Sequence, residues 1–118
     1  MKLFTIALLA PLASAVCSTS QLSLTFMVSN FYPYEYETEE FCPVAGSCVN
    51  MASGADSWSQ KANWVLMKAN TCVQFYKDYN CPQSGATWEP PCHDVDWAVG
   101  VLSDWSNGAM KSYTVFQK

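Results

Sequence analysis

The chain contains no arginine and a single histidine, His93, and only six of its 118 residues are lysines. Phosphate recognition relies on Arg forks and basic stripes, so nucleic acid and anionic membrane surfaces are poor partners. One histidine leaves no second imidazole for ribonuclease-type acid–base work. No Gly-x-Ser-x-Gly is present to build a nucleophile elbow. No Cys-x2-Cys occurs either; Cys42 and Cys48 are separated by five residues and Cys72 and Cys81 by eight, which argues against zinc. Finally, the apolar run Leu3 to Val16 has 14 residues, short of the ~20 that cross a bilayer, and no later run is longer.

That short run has a different use. Lys2, the apolar stretch Leu3 to Leu12 and the small residues Ala13-Ser14-Ala15 together read as a secretory signal peptide, residues 1–15, cut after Ala15. Val16 ahead of Cys17 is bulkier than lipoprotein processing wants, so Cys17 is expected in a disulfide instead of carrying a lipid. Residues 16–118 are then one extracellular domain, expected to act as a monomer.

All six cysteines, Cys17, Cys42, Cys48, Cys72, Cys81 and Cys92, lie beyond the cut. An even set in an oxidising compartment implies three disulfides, whose connectivity has 15 possibilities that spacing does not resolve. A chain of this length still builds a core of its own, which the bridges reinforce.

The remaining charge is acidic, with five lysines against ten carboxylates after the cut. Glu35, Glu37, Glu39 and Glu40 interleave with Tyr34, Tyr36 and Phe41. This pattern reads as a solvated loop or edge strand with its aromatic residues packed inward.

Period-two alternation recurs along the chain. Leu22, Leu24, Phe26 and Val28 share one face, with Ser23, Thr25 and Met27 on the other, predicting a half-buried strand. Thr71 to Tyr76 repeats the pattern, and Ser112 to Phe116 closes the chain with another β-rich run. Val95, Trp97, Val99 and Val101 alternate as a strand, while Val95, Ala98, Val99 and Leu102 satisfy helix spacing with Asp94 as the N-cap; Gly100 and the valines favour the strand. Near Asp56 at most a short helical turn is expected, with Trp64 to Met67 extended. Turn signals at Asn80 to Pro82, Ser84-Gly85 and Asn107-Gly108 separate the segments.

An internal repeat is also present. Trp58-Ser59 is echoed 47 residues later by Trp105-Ser106, and Phe26 by Phe75 after 49. Asn63 to Lys68 aligns with Ser112 to Phe116, placing Trp64 against Tyr113 as equivalent buried aromatics. Two units, about 20–68 and 70–118, follow from the repeat.

Three stretches carry a family resemblance. Cys72 to Cys81, with Gly85 after it, resembles the opening strand and aromatic hairpin of a βγ-crystallin Greek-key motif. Leu102 to Val115 resembles its closing loop and last strand, and Cys48 to Met51 with Trp58 to Leu66 resembles the end of a first motif. The chain is thus similar to βγ-crystallin-like small secreted cysteine-rich fungal proteins. The resemblance implies an all-β fold, two Greek-key units packed as a disulfide-stapled sandwich. It also implies an effector or killer-toxin type of action, although the acidic balance here favours a protein target over a membrane. Calcium-binding members place adjacent Asn/Asp residues ahead of Ser/Thr-Ser. Here Asn107-Gly108-Ala109-Met110-Lys111-Ser112 loses one oxygen ligand to Gly and gains a lysine, and Ser59 to Asn63 has no carboxylate. No metal or cofactor is therefore expected.

His93, beside Asp94 and Asp96, invites a general-base reading, but a loop after Pro90-Pro91 with Asp94 opening the next element is the simpler one. No catalytic residue is assigned. Trp88, next to Glu89-Pro90-Pro91, is the aromatic most expected to stand exposed and bind a ligand. The leading expectation is a non-enzymatic interaction protein that binds a protein or glycan on a host or competitor cell. The alternatives are a carbohydrate-binding module for wall polysaccharide and a small secreted hydrolase, since ten carboxylates could supply a glycosidase pair.

Overall fold

A computed structural model describes residues 17–30 and 35–118. The proposed signal peptide and Tyr34 lie outside the described residues. The described chain is all-β with two four-stranded antiparallel sheets. Its strands are β1 (Leu24–Asn30), β2 (Glu35–Phe41), β3 (Cys48–Asn50), β4 (Trp64–Met67), β5 (Thr71–Tyr76), β6 (Thr87–Trp88), β7 (Trp97–Gly100) and β8 (Ser112–Gln117).

The first sheet has the order β2-β1-β4-β7 and the second β3-β8-β5-β6. The two halves of the chain therefore have one design. In each, the first, second and fourth strands lie together, and the third crosses to the other sheet: β3 pairs with β8, and β7 with β4. A short helix α1 (Trp58–Lys61) follows β3, and a 3-10 turn (Ser103–Trp105) follows β7. The Trp-Ser echo in the sequence marks these two equivalent connections.

Local sequence explains the elements. In β1, Leu24 and Phe26 are buried while Thr25 and Met27 are half-exposed, as period two requires. The helix α1 is one turn long: the Ser57 hydroxyl accepts from the Gln60 backbone N–H at 3.2 Å, an N-cap. The chain leaves the helix at Asn63, whose side chain grips Ser29 at the end of β1, accepting from its N–H at 3.1 Å and donating to its carbonyl at 2.9 Å. The helix is thus held to one turn, and Trp64 to Met67 is extended as expected. Strand β7 forms where spacing left a helix open.

The inner faces meet in an aromatic cluster. The repeat-related Phe26 and Phe75 pack with ring centroids 6.2 Å apart, and Tyr113 lies 5.8 Å from Phe26 and 5.9 Å from Phe75. Phe75 stacks on Trp88 at 5.4 Å, and Trp88 lies 6.0 Å from Trp105. Burial of such rings is the main favourable term for folding.

All six cysteines are paired: Cys17–Cys42, Cys48–Cys81 and Cys72–Cys92. The second links the crossing strand β3 to the hairpin of the other unit.

Two expectations are corrected by register. Phe26 pairs with Val65, and Phe75 with Tyr113, so Val65 is the equivalent of Tyr113. Trp64 is one residue off and points to the opposite face, 41% exposed, while Tyr113 is 2% exposed; a one-residue shift in a strand reverses every side chain. Trp88 does not stand free. It pairs with Phe75 across β5 and β6, which turns its ring inward and leaves it half-buried.

The acidic stretch forms the edge strand β2, as one reading expected. Phe41 faces inward, but Glu37 and Glu39 share its side of the strand, because they stand four and two residues from it.

Candidate binding sites

Two places on the molecule gather side chains suited to recognition, and each is built around one of the crossing strands.

The first is a cleft of about 370 Å³ that opens between β2 of one sheet and β3 of the other. Phe26 and Phe41 form one wall, Val49 and Tyr113 the other, and Trp58 of α1 closes the end. Glu39, Asp56 and Lys61 stand at its rim. The position of Trp58 is fixed by its indole N–H, which donates to Glu39 Oε1 at 2.7 Å. Lys61 lies with its ammonium 4.4 Å from the Trp58 ring centroid and 2.9 Å from Glu37 Oε2, a cation–π contact completed by a carboxylate.

Two polar groups of this cleft have no hydrogen-bond or ion-pair partner among the described residues. No hydrogen bond from the described residues reaches the Tyr113 hydroxyl, and burial pushes its phenol up to about 12, because the ionised form is the one that desolvation penalises. Asp56, at the exposed rim, makes no ion pair or hydrogen bond with the described residues.

The second place is the outer side of β7, an edge strand with no neighbour beyond it among the described residues. Val95, Trp97 and Leu102 are exposed around it, Trp97 to 43%. Asp94, Asp96 and Asp104 are exposed in the same stretch. On the outer face of the same sheet Trp64 lies across Gly100, to which it is paired.

His93 lies beside the second place. Its ring packs on Trp97 with centroids 4.1 Å apart, and its carbonyl accepts from the Asn70 N–H at 2.7 Å. Of the two neighbouring aspartates, Asp96 accepts from the Ala69 N–H at 2.8 Å and Asp94 is exposed.

The loop that resembles a calcium motif is closed by protein groups. Gly108, at φ 90°, donates to the Ser59 carbonyl at 2.8 Å and comes so near Gln60 that a β-carbon would stand 3.0 Å from its Oε1. Lys111 Nζ lies 3.3 Å from the Gly108 carbonyl, and the Ser59 hydroxyl donates to the Met110 carbonyl. Among the described residues no three His, Cys, Asp or Glu side chains gather as a metal site.

Neither place was found from sequence. Trp64 could have been placed outside by parity with Val65 and Met67. The cleft had no such signal, because β3 and α1 reach β1 and β2 only through the exchange of strands. Comparison of the chain with family models, curated proteins and solved structures finds no match to any of them.

Proposed function

We propose that this is a secreted, non-enzymatic interaction protein of the effector or toxin type that binds a protein on the surface of a host or competitor cell. The observation that carries the reading is the β7 edge. An unpaired strand offers backbone N–H and C=O groups for a partner strand, and Trp97 with Val95 and Leu102 supplies apolar anchors of the kind that dominate interface energy. The surrounding aspartates favour a target with basic residues at its rim. Three disulfides support a life outside the cell, and no helix among the described residues is long and apolar enough to cross a membrane. The two repeated four-strand units also support the βγ-crystallin-like reading.

The test is binding of fluorescently labelled protein to a panel of fungal, bacterial and plant cells. The reading expects signal on at least one cell type, lost when the cells are shaved with protease and lost in a Trp97→Ser, Val95→Ser double variant. Absence of binding to every cell type contradicts it.

A second reading, a carbohydrate-binding module, is favoured by Trp64. An exposed Trp ring beside a glycine on the outer face of a sheet can stack on a sugar. Binding that survives protease, falls after glycosidase treatment and depends on Trp64 would select this reading over the first.

A further inference from the structure

The cleft between β2 and β3 plays no part in the β7 interface, and its unpartnered groups point to a ligand of definite chemistry. We propose that it binds a small aromatic amine, an aryl ring carrying a protonated alkylamine.

Size and lining set the ring. A void of ~150 Å³ lined by apolar side chains accommodates benzene, so about 370 Å³ suits a bicyclic ring system with a short side chain. Phe26, Phe41, Trp58 and Tyr113 provide aromatic walls, which take planar rings edge-on or offset-stacked.

The Tyr113 hydroxyl sets one polar contact. It belongs to a side chain only 2% exposed and has no hydrogen-bond partner among the described residues. Buried phenols are normally satisfied, and a ring N–H or hydroxyl on the ligand would satisfy this one.

The rim sets the charge. Glu39 is occupied by the Trp58 indole and Glu37 by Lys61, which leaves Asp56 as the rim carboxylate with no partner among the described residues. An ammonium on the ligand would complete it. The chain already displays this chemistry in itself: the Lys61 ammonium rests 4.4 Å above Trp58 against a carboxylate. An anionic ligand would meet Glu39 and Asp56 across a low-dielectric opening, where like charges repel.

Titration of the ¹⁵N-labelled protein with tryptamine, and with 3-methylindole and indole-3-propionate as neutral and anionic comparators, tests the proposal. Tryptamine is expected to give saturable shifts that include the Trp58 indole N–H and the amides of Val49 and Met51. Indole-3-propionate should bind at least about tenfold more weakly. Asp56→Asn, an exposed change that leaves the fold intact, should weaken tryptamine about fivefold or more while leaving 3-methylindole unaffected. Tyr113→Phe, with its fold checked in the same spectra, should weaken both. The proposal is overturned if none of the three probes gives saturable shifts in the cleft, if the anion binds as well as the amine, or if both variants bind tryptamine like the wild type.

Discussion

Trp64 lies across Gly100, its ring edge 3.9 Å from the point where a β-carbon on residue 100 would stand. The two residues are paired between β4 and β7 on the outer face of the sheet, and the Trp64 side chain is 41% exposed there. The contact distance is ordinary van der Waals separation, which leaves space for one methyl group. Gly100→Ala should therefore be tolerated and, by reducing the freedom of the unfolded chain, raise stability by about 0.4–1 kcal/mol. Thermal melting of the variant checks this; a fall in Tm would mean that Trp64 packs more tightly on the strand than the geometry indicates.

The same register separates Trp64 from Tyr113 in energetic terms. Deleting a fully buried aromatic costs roughly 3–5 kcal/mol, and Tyr113→Ala should fall in that range. Trp64→Ala should cost roughly half of that or less, because much of the ring is already in water. Urea unfolding of the two variants gives the comparison directly, and equal losses would restore the equivalence of Trp64 and Tyr113 suggested by the gapped repeat.

Alkaline pH isolates the Tyr113 hydroxyl. Its phenol is raised from 10 to about 12 in the folded state by burial, so the folded form holds the proton more tightly than the unfolded chain. The resulting stability is fully present below about pH 10 and is lost as pH rises through 12, up to roughly 2–3 kcal/mol in all. Wild type minus Tyr113→Phe, followed by denaturant unfolding from pH 8 to 12, should show this loss in the wild type alone. Parallel curves for the two proteins would place the phenol in water.

Millimolar calcium should leave Tm unchanged. A cation bound at 100 times its Kd stabilises a fold by about 2.7 kcal/mol, which a melting curve resolves easily. The loop at Asn107 to Ser112 instead turns its Gly108 carbonyl to Lys111, and calcium needs six to eight oxygens. A rise of several degrees would show that this lysine can be displaced.

The parts of the structure written in local pattern were legible in the sequence. Alternation at Leu24 to Val28 and the β-rich runs at Thr71 and Ser112 gave strands, and Trp58-Ser59 with Trp105-Ser106 marked equivalent connections. What was not legible depends on contacts between distant segments. Aligning the halves by aromatic type set Trp64 on Tyr113, whereas the fold aligns them by which residue faces Phe26 and Phe75. Trp88 looked exposed beside Glu89-Pro90-Pro91, yet a two-residue strand suffices to turn it onto Phe75. The cleft requires Val49 to sit beside Tyr113, 64 residues away, and no periodicity encodes that.

The exchange of third strands is the feature on which both candidate sites rest, since β3 supplies a wall of the cleft and β7 the exposed edge. Cys48–Cys81 is its covalent mark, joining β3 of the first unit to the hairpin of the second with Cα atoms 5.9 Å apart. Peptide mapping of the non-reduced, alkylated protein by mass spectrometry tests it most directly. Exchange predicts the pairs Cys17–Cys42, Cys48–Cys81 and Cys72–Cys92 with no alkylated cysteine. Finding Cys42–Cys48 together with Cys72–Cys81, each bridge closed within its own unit, would contradict the exchange and remove the basis for both sites.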